Sequence, residues 1–190
     1  HGSGKPSLFN YFAKVVSHYG FTKRQMNILI VAATELEIGP FLQHLRQSYK
    51  QLGTDIFFND QNRVQILITG VGMVATTFAL TKQLCEKTYD AALQVGIAGS
   101  FDRTISLASL CAVSTEVFGD LGAEDRYQFW DVFELGLDEK DRFPFKDGML
   151  ENSFQGLPFE IAMPQVSALS VNMVSGSELT AETRLKKFNC

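Results

Sequence analysis

The chain has 190 residues, of which 45% are hydrophobic and 20% are charged. This is ordinary globular composition, which excludes a disordered or fibrous chain, and the length suits one domain with a sizeable core. The formal net charge is -4. Nothing in that charge favours nucleic acid or an anionic membrane surface, so we expect neither as a partner.

A metal site and a membrane anchor are both disfavoured by the sequence. No apolar run approaches the ~20 residues that span a bilayer. The sparse, odd number of cysteines is typical of a reducing cytosol, so we expect a cytoplasmic protein. The cysteines and histidines lie too far apart for metal-ligand spacing: Cys85, Cys111, Cys190, His1, His18 and His44.

Two regions are expected along the chain. Residues 1–25 form an N-terminal extension that begins with "HGSG", typical of a residual tag, and continues into one possible amphipathic helix. Residues 26–190 form an α/β domain. Its last segment, "TAETRLKKFNC", begins a helix without a closing strand or cap, so we expect this domain to be truncated at its C-terminus.

The first elements of the domain alternate between strand and helix. "NILIVAA" is a continuous apolar run, which predicts a strand buried on both faces of a parallel sheet. Thr34 is suited to cap the following helix, "ELEIGPFLQHLRQSYK", which has acids in its first turn. "TDIFFND" and "NRVQILIT" predict a hairpin, and a helix is expected from about Gly72 to Lys87 with Val74, Phe78 and Cys85 on one face.

The second half is predicted to contain further strands around an irregular segment. "AALQVGIAGS", "LCAVSTEVFGD", "PFEIAM" and "ALSVNMVSG" have strand character. Between them, the region from Leu121 to Gln155 is aromatic and acidic. Its part from Phe129 to Phe154 is expected to expose aromatic side chains and to support a homodimer or higher homo-oligomer.

The stretch "TGVGMVA" has three interpretations. Gly70, Gly72 and Ala75 fit the G-x-G-x-x-A register of a dinucleotide fold, but that fold requires an acid at the end of the next strand, which here ends in "GIAG". The glycines could simply allow a tight turn. Alternatively, the ends "AATELE", "TGVG" and "GIAGS" converge on one ligand crevice that contains Glu37 and no Arg or Lys for a phosphate.

Five segments in order resemble the nucleoside phosphorylase/nucleosidase superfamily. They are "MNILIVAATELEI", "ITGVGMVATTFAL", "VGIAGSF", "STEVFGDLGAED" and "SVNMVSGSE". The resemblance is to the branch of futalosine nucleosidases in an alternative menaquinone pathway. It implies a three-layer fold with a mixed, twisted central sheet flanked by helices. It also implies hydrolysis of an N-ribosidic bond in futalosine or 6-amino-6-deoxyfutalosine, a reaction that requires no metal or organic cofactor.

The resemblance assigns roles residue by residue. Glu37 matches the acid that polarises the attacking water, and Thr34 and Val71 match positions around the water and ribose. The remaining matches lie near the base: Ala98, Gly99, Leu179 and Thr180. From the residues alone, Glu37 is better explained as a first-turn acid that complements the helix dipole, and it is the resemblance that favours the catalytic role.

Three alternatives to futalosine hydrolysis remain open from the sequence. They are cleavage of 5'-methylthioadenosine or S-adenosylhomocysteine, phosphorolysis of purine nucleosides, and nucleoside binding without turnover. The family's phosphorylases carry a basic turn after the first strand, where this chain reads "TELEIGP". The family's hydrolases continue into a Met-Glu pair and an Asp beyond the region matched here, so we expect part of the machinery to be missing from these 190 residues.

Overall fold

The computed structural model describes residues 25–60, 62–126, 128–152 and 163–188. The predicted N-terminal helix and most of the strand predicted at "PFEIAM" lie outside the described residues. The chain divides into two compact units, His1–Gly99 and Ser100–Cys190. The single domain expected over residues 26–190 stays a prediction, and the two units are described in turn.

The first unit contains a mixed five-stranded sheet in the order β2-β3-β4-β1-β5. β1 lies between β4 and β5 and is parallel to both, whereas β2, β3 and β4 pair antiparallel. The predicted α/β class and mixed sheet are therefore confirmed, and the predicted hairpin is β3-β4. The strands are β1 Met26–Ala32, β2 Lys50–Leu52, β3 Ile56–Phe58, β4 Asn62–Ile68 and β5 Ala91–Gln94.

Helix α1 (Glu35–Ser48) covers the centre of this sheet. Thr34 is its N-cap in extended conformation, as predicted, and the helix begins with a capping box that uses Glu37. Its buried residues recur at helical spacing and pack against β1, whose last five residues are also buried. The core side chains of both elements are Ile28, Leu29, Ile30, Val31, Ile38, Phe41, Leu42 and Leu45.

Helix α2 (Met73–Glu86) follows the glycine turn within one residue of the predicted boundaries. It contains no buried residue. Val74 and Phe78, which the sequence places on one face, have 80% and 72% of their surfaces exposed. The helix prediction is confirmed, but this face does not pack on the sheet of its own unit in the described residues.

The second unit contains a three-stranded sheet, a hairpin and helix α3 (Glu178–Phe188). The sheet has the order β10-β6-β9, and β6 is parallel to β10. The hairpin joins β7 to β8 within the region expected to be irregular. The strands are β6 Ala112–Phe118, β7 Gly122–Asp125, β8 Gln128–Asp131, β9 Leu150–Glu151 and β10 Gln165–Ser170.

The expectation of an exposed aromatic surface between Phe129 and Phe154 is wrong for most of the described residues. The ring of Phe133 lies 5.1 Å from that of Phe145, edge to face, and Phe129 lies 6.4 Å from Phe188. Aromatic pairs at such distances stabilise each other beyond simple burial. Phe143, with 94% of its surface exposed, is the exception among them, because the other described rings of this segment are half-buried.

Candidate active site

The carboxyl ends of β4, β1 and β5 lie side by side at one edge of the first sheet. Backbone hydrogen bonds continue the pairing beyond the strands, because Gly70 N donates to Ala33 O at 3.1 Å and Val95 N donates to Val31 O at 2.9 Å. In open α/β sheets, ligands bind at the carboxyl ends of the parallel strands. These three ends therefore form the candidate site of the first unit.

Glu37 lies at this edge and connects two of the three strand ends. Its Oε2 accepts a hydrogen bond from Thr34 N at 2.9 Å and lies 3.3 Å from the Thr34 hydroxyl. Its Oε1 faces Ile97 N in the loop after β5 at 3.5 Å, longer than an ordinary N–H···O bond. Oε2 is thus fixed by the start of the helix, whereas Oε1 retains capacity to accept from a further donor such as water.

The loop after β5 approaches the carboxylate closely because it contains a glycine. A Cβ added to Gly96 would lie 3.1 Å from Glu37 Oε1. This distance is shorter than an ordinary van der Waals contact, so any side chain at position 96 would displace the carboxylate. The absence of a side chain there allows the acid and the loop to share one narrow space.

The turn after β4 supplies the third side of the site. Gly70 and Gly72 have φ values of 83° and 100°, in the region that favours glycine. The Thr69 hydroxyl lies 2.9 Å from Gly70 O and 3.2 Å from the Thr76 hydroxyl, which ties the turn to the first turn of α2. The turn therefore presents backbone, and one apolar side chain from Val71, to the edge of the sheet.

The predicted site residues fall in both units. In the first unit, Thr34 is half-buried beside Glu37, whereas Val71 has 79% of its surface exposed, and Ala98 and Gly99 are exposed in the loop after β5. These five residues belong to the three neighbouring strand ends.

Leu179 and Thr180 lie in the first turn of α3, in the second unit. Leu179 has 75% of its surface exposed. Thr180 N donates to the Ser177 hydroxyl at 3.2 Å, and the two hydroxyls lie 2.9 Å apart. Ser177 therefore caps the helix, and the exposed face of its first turn is available to a ligand.

The predicted convergence of "AATELE" and "GIAGS" near Glu37 agrees with the structure, but the sequence does not predict which atoms meet, namely Glu37 Oε1 and Ile97 N. The S/T-x-x-E pattern of "TELE" is a signal for a capping box, and it explains why Glu37 turns back toward Thr34. The strand ends predict the neighbourhood of Glu37, whereas the distance of 3.5 Å between Glu37 Oε1 and Ile97 N depends on the register of the sheet. That contact arises only because β5 pairs directly with β1.

A cavity of about 400 Å³ lies at the opposite end of the same sheet, near the start of β4 and the end of α2. It contains no predicted site residue. Its most buried polar group, the Gln65 amide, already accepts from Lys87 Nζ at 3.0 Å and Tyr89 OH at 2.9 Å and donates to Asp55. Burial raises the pKa of Tyr89. The network is satisfied internally, so we interpret it as structural.

The described residues were also searched for a metal-binding cluster and for a membrane-spanning helix. The described residues contain no group of three His, Cys, Asp or Glu side chains arranged to hold a metal ion. Within the same part of the chain, no helix has the length and apolarity to cross a membrane.

The chain shares its fold with solved nucleosidases. It is similar to native futalosine hydrolase of Helicobacter pylori strain 26695, with a TM-score of 0.64 and 17% identity, over 87% of this chain and 72% of that chain.

The chain is also similar to a mutant of Helicobacter pylori MTAN with 5'-methylthioadenosine in its active site. The TM-score is 0.63 and the identity 16%, over 88% of this chain and 74% of that chain. For Campylobacter jejuni 5'-methylthioadenosine/S-adenosyl homocysteine nucleosidase, the TM-score is 0.62 and the identity 16%, over 87% of this chain and 73% of that chain. No protein-family model and no curated protein matches the chain. At these identities the likeness establishes the fold, and the predicted fold class is confirmed.

Proposed function

We propose that this protein is a purine nucleosidase that hydrolyses the N-ribosidic bond of futalosine or 6-amino-6-deoxyfutalosine. The observation that carries the proposal is the position of Glu37. It lies at the carboxyl end of β1, with one oxygen fixed by Thr34 and the other directed toward the loop after β5. Solved structures with the same fold include a futalosine hydrolase and a nucleosidase holding a nucleoside, which supports the same reaction class here.

The reaction requires a base that activates water on one face of the ribose. As the bond between C1′ and the base nitrogen breaks, its electron pair moves to the purine and positive charge develops on the sugar. Water attacks C1′ and gives up a proton. Glu37 Oε1 is the acceptor that we assign to this proton, because Oε2 is already engaged by the Thr34 backbone. We assign to this chain the water-activating half of the reaction.

Water is a better nucleophile than phosphate for this site. A phosphate subsite needs cationic side chains or a bidentate arginine. The three turns at the strand ends, residues 33–37, 69–72 and 95–99, contain neither Lys nor Arg. The described cations of the first unit lie along α1 and α2, on the antiparallel strands, or beside the cavity at the other end of the sheet. This arrangement favours hydrolysis over phosphorolysis.

The proposed substrate contacts of the first unit follow the three strand ends. Thr34 and Val71 would lie beside the attacking water and the ribose. Backbone at Ala98 and Gly99 would approach the purine, since a Cβ on Gly99 would meet nothing within 4 Å and the space there is open. For Leu179 and Thr180 in the second unit, a role near the base stays a proposal that rests on the resemblance alone. We infer that the protein acts in menaquinone biosynthesis in the cytoplasm without a cofactor.

The second candidate is cleavage of 5'-methylthioadenosine or S-adenosylhomocysteine. It is favoured by the likeness to the nucleosidases from Helicobacter pylori and Campylobacter jejuni that carry this name, at nearly the same TM-scores. Both candidates use the same water-activating acid and differ in the group attached to the ribose.

A substrate panel separates these possibilities. The purified protein would be incubated with futalosine, 6-amino-6-deoxyfutalosine, 5'-methylthioadenosine and S-adenosylhomocysteine, in buffers with and without phosphate, and the free base measured by chromatography. We expect base release from one of the first two, independent of phosphate. Release that requires phosphate would indicate a phosphorylase. Binding of all four without release would indicate a nucleoside-binding protein, and that result would refute the enzymatic proposal.

A further inference from the structure

The second unit has a pair of parallel strand ends of its own, at β6 and β10. The two strands pair as far as Phe118 and Ser170, and Gly119 N donates to Ser170 O at 2.8 Å just beyond the last pair. The chain then leaves β10 through residues 171–177, which we call the β10-α3 loop, and enters the first turn of α3. Ligands bind at the carboxyl ends of parallel strands, so this loop has a position suited to contact one.

Asp120 holds the start of the β10-α3 loop through its carboxylate. Its Oδ2 accepts from Asn172 N at 2.6 Å and from Met173 N at 3.2 Å. Its Oδ1 lies 3.5 Å from the Asn172 side-chain amide, longer than an ordinary hydrogen bond. The carboxylate follows β6, whereas both backbone donors follow β10, 52 and 53 residues later. Because hydrogen bonds to an ionised acceptor are among the stronger ones in proteins, this contact ties the two strand ends together.

The β10-α3 loop depends on polar contacts because apolar packing does little to hold it. Met173 and Val174 have 68% and 81% of their surfaces exposed. Further along the loop, Arg184 donates to the Ser175 hydroxyl at 2.9 Å, and Ser177 caps α3. A segment with few buried apolar groups opens locally at low cost once its hydrogen bonds are removed. The carboxylate contact at its start therefore has a large share in fixing the loop.

We propose that Asp120 is a positioning residue for the part of the site that binds the purine. Leu179 and Thr180 directly follow the β10-α3 loop, and they are the residues to which the proposed function gives a role near the base. This inference rests on that proposed function. Asp120 acts through the loop backbone and not by contact with the substrate. A carboxylate that served the fold alone would contribute to stability, whereas a positioning residue also sets the affinity for the base.

Asp131 provides a matched control within the same unit. Its Oδ1 also accepts from two consecutive backbone N–H groups, those of Phe133 at 2.9 Å and Glu134 at 2.8 Å. These donors lie only two and three residues away, so the contact closes a local turn. Its distance to Lys187 is 3.9 Å, and Lys187 has a nearer partner in Glu134. Removal of this carboxylate should therefore leave the β10-α3 loop unchanged.

The first test measures the loop directly and does not depend on catalysis. Amide hydrogen exchange over residues 171–178, followed by mass spectrometry, should be at least about tenfold faster in Asp120→Ala, because the Asn172 and Met173 N–H groups lose their acceptor. Asp120→Asn retains an oxygen that can accept, so its exchange should lie in between, and Asp131→Ala should match the unchanged protein. Exchange of β1 shows whether a variant is folded; if Asp120→Ala is not, Asp120→Asn decides the outcome. Equal exchange in the folded variant and the unchanged protein would refute the proposal.

The second test separates positioning from stability by the kinetics of base release on the nucleoside that the substrate panel identifies. Asp120→Ala should raise KM about tenfold and Asp120→Asn about threefold, with kcat within about twofold, because binding of the base weakens while Glu37 is unchanged. A purely structural role would lower the folded fraction, and with it the apparent kcat, without changing KM. Asp131→Ala should leave KM and kcat unchanged. An unchanged KM in Asp120→Ala, or the same rise in Asp131→Ala, would overturn the proposal.

Failure of the proposed function gives a different result from failure of this inference. If the unchanged protein releases base from no nucleoside of the panel, that function fails, and the affinity for hypoxanthine and adenine, measured by calorimetry, takes the place of KM. Weaker binding of either purine by Asp120→Ala than by the unchanged protein would support the positioning role. Equal affinity, or no binding of either purine by the unchanged protein, would overturn it.

Discussion

Glu37 has a structural role and a proposed chemical role in the same side chain. One oxygen completes the capping box of α1, and the other faces Ile97 N across a gap of 3.5 Å. A capping carboxylate alone needs no approach to a distant loop. The approach to the loop after β5 is the part of the geometry that the capping role leaves unexplained, and it is the reason that we assign Glu37 as the base.

Gly96 is the residue that permits this approach, and its substitution tests the geometry. In Gly96→Ala, the new methyl group would lie 3.1 Å from Glu37 Oε1, so the carboxylate must move by a few tenths of an ångström. Misplacement of a catalytic group by ~1 Å costs up to ~10² in rate, and we therefore expect kcat for base release to fall by about tenfold.

Gly39→Ala is the matched control for this prediction. It makes the same substitution two residues from Glu37, at a position where an added Cβ meets nothing within 4 Å. Steady-state kinetics of the two variants should show reduced kcat for Gly96→Ala alone. Equal kcat values for both would show that the contact between Gly96 and Glu37 has no role in positioning the base.

The sequence predicts the local features of the site and the convergence of its strand ends, but not the atomic contacts between them. The cap at Thr34, the acid at Glu37 and the glycines at positions 70 and 72 follow from residue types at fixed spacing. The proximity of Gly96 to Glu37 depends on strand order, because β5 pairs with β1 directly. The convergence of strand ends does not specify which strands are direct neighbours, so the close approach of Gly96 required the structure.

At the scale of elements, Lys187 joins the end of α3 to the β7-β8 hairpin. Its Nζ donates to Glu134 at 2.5 Å and to Phe129 O at 3.0 Å. The hydrogen bond from Lys187 holds the pKa of Glu134 below its ordinary value of 4.5. The folded state therefore favours the ionised form of Glu134 more than the unfolded state does.

This difference predicts a loss of stability in acid. A carboxyl group with a lowered pKa stabilises the fold above its unfolded pKa, and the stabilisation disappears as the pH falls through the folded pKa. The free energy of unfolding, measured in urea, should therefore fall less between pH 7 and pH 3 in Glu134→Gln than in the unchanged protein. Because 37% of the Glu134 side-chain surface is exposed to solvent, which screens the contact, we expect a small difference.

Glu139→Gln is the control for the acid prediction. Glu139 is exposed in the same segment, and its side chain has no ion pair among the described residues. This variant should keep the full acid dependence of the unchanged protein. If Glu134→Gln and Glu139→Gln show the same dependence, the contact between Lys187 and Glu134 does not contribute to folding.

The spacing of apolar residues predicts where the helices lie better than it predicts which surface packs on their apolar faces. Helix α2 lies where the sequence places it, with Val74 and Phe78 on one face, yet that face is exposed in the described chain. An apolar stripe has the same spacing whether it packs on its own sheet or on another molecule. For the aromatic residues after Phe129 the expectation was exposure, whereas most of the described rings are half-buried. Composition does not reveal that rings such as Phe133 and Phe145 pack against each other.

At the scale of the whole molecule, the mixed sheet and the order of its glycine turns agree with the resemblance drawn from sequence. The fold is that of solved nucleosidases, at TM-scores of 0.62 to 0.64. A shared fold does not determine the reaction, because many folds support several activities. The function therefore depends on the chemistry of the strand-end site, and above all on whether Glu37 accepts a proton from water.

The most direct test compares Glu37→Gln with Glu35→Gln on the nucleoside that the panel identifies. Glutamine keeps the shape and a hydrogen-bonding oxygen but does not act as a base at neutral pH. A general base contributes ~10² to 10⁴ in rate, so kcat for Glu37→Gln should fall by about that factor with little change in KM. Glu35, which is exposed in the same first turn, should tolerate the substitution. Near-normal kcat in Glu37→Gln, together with loss of activity in Glu35→Gln, would contradict the assignment of Glu37 as the base.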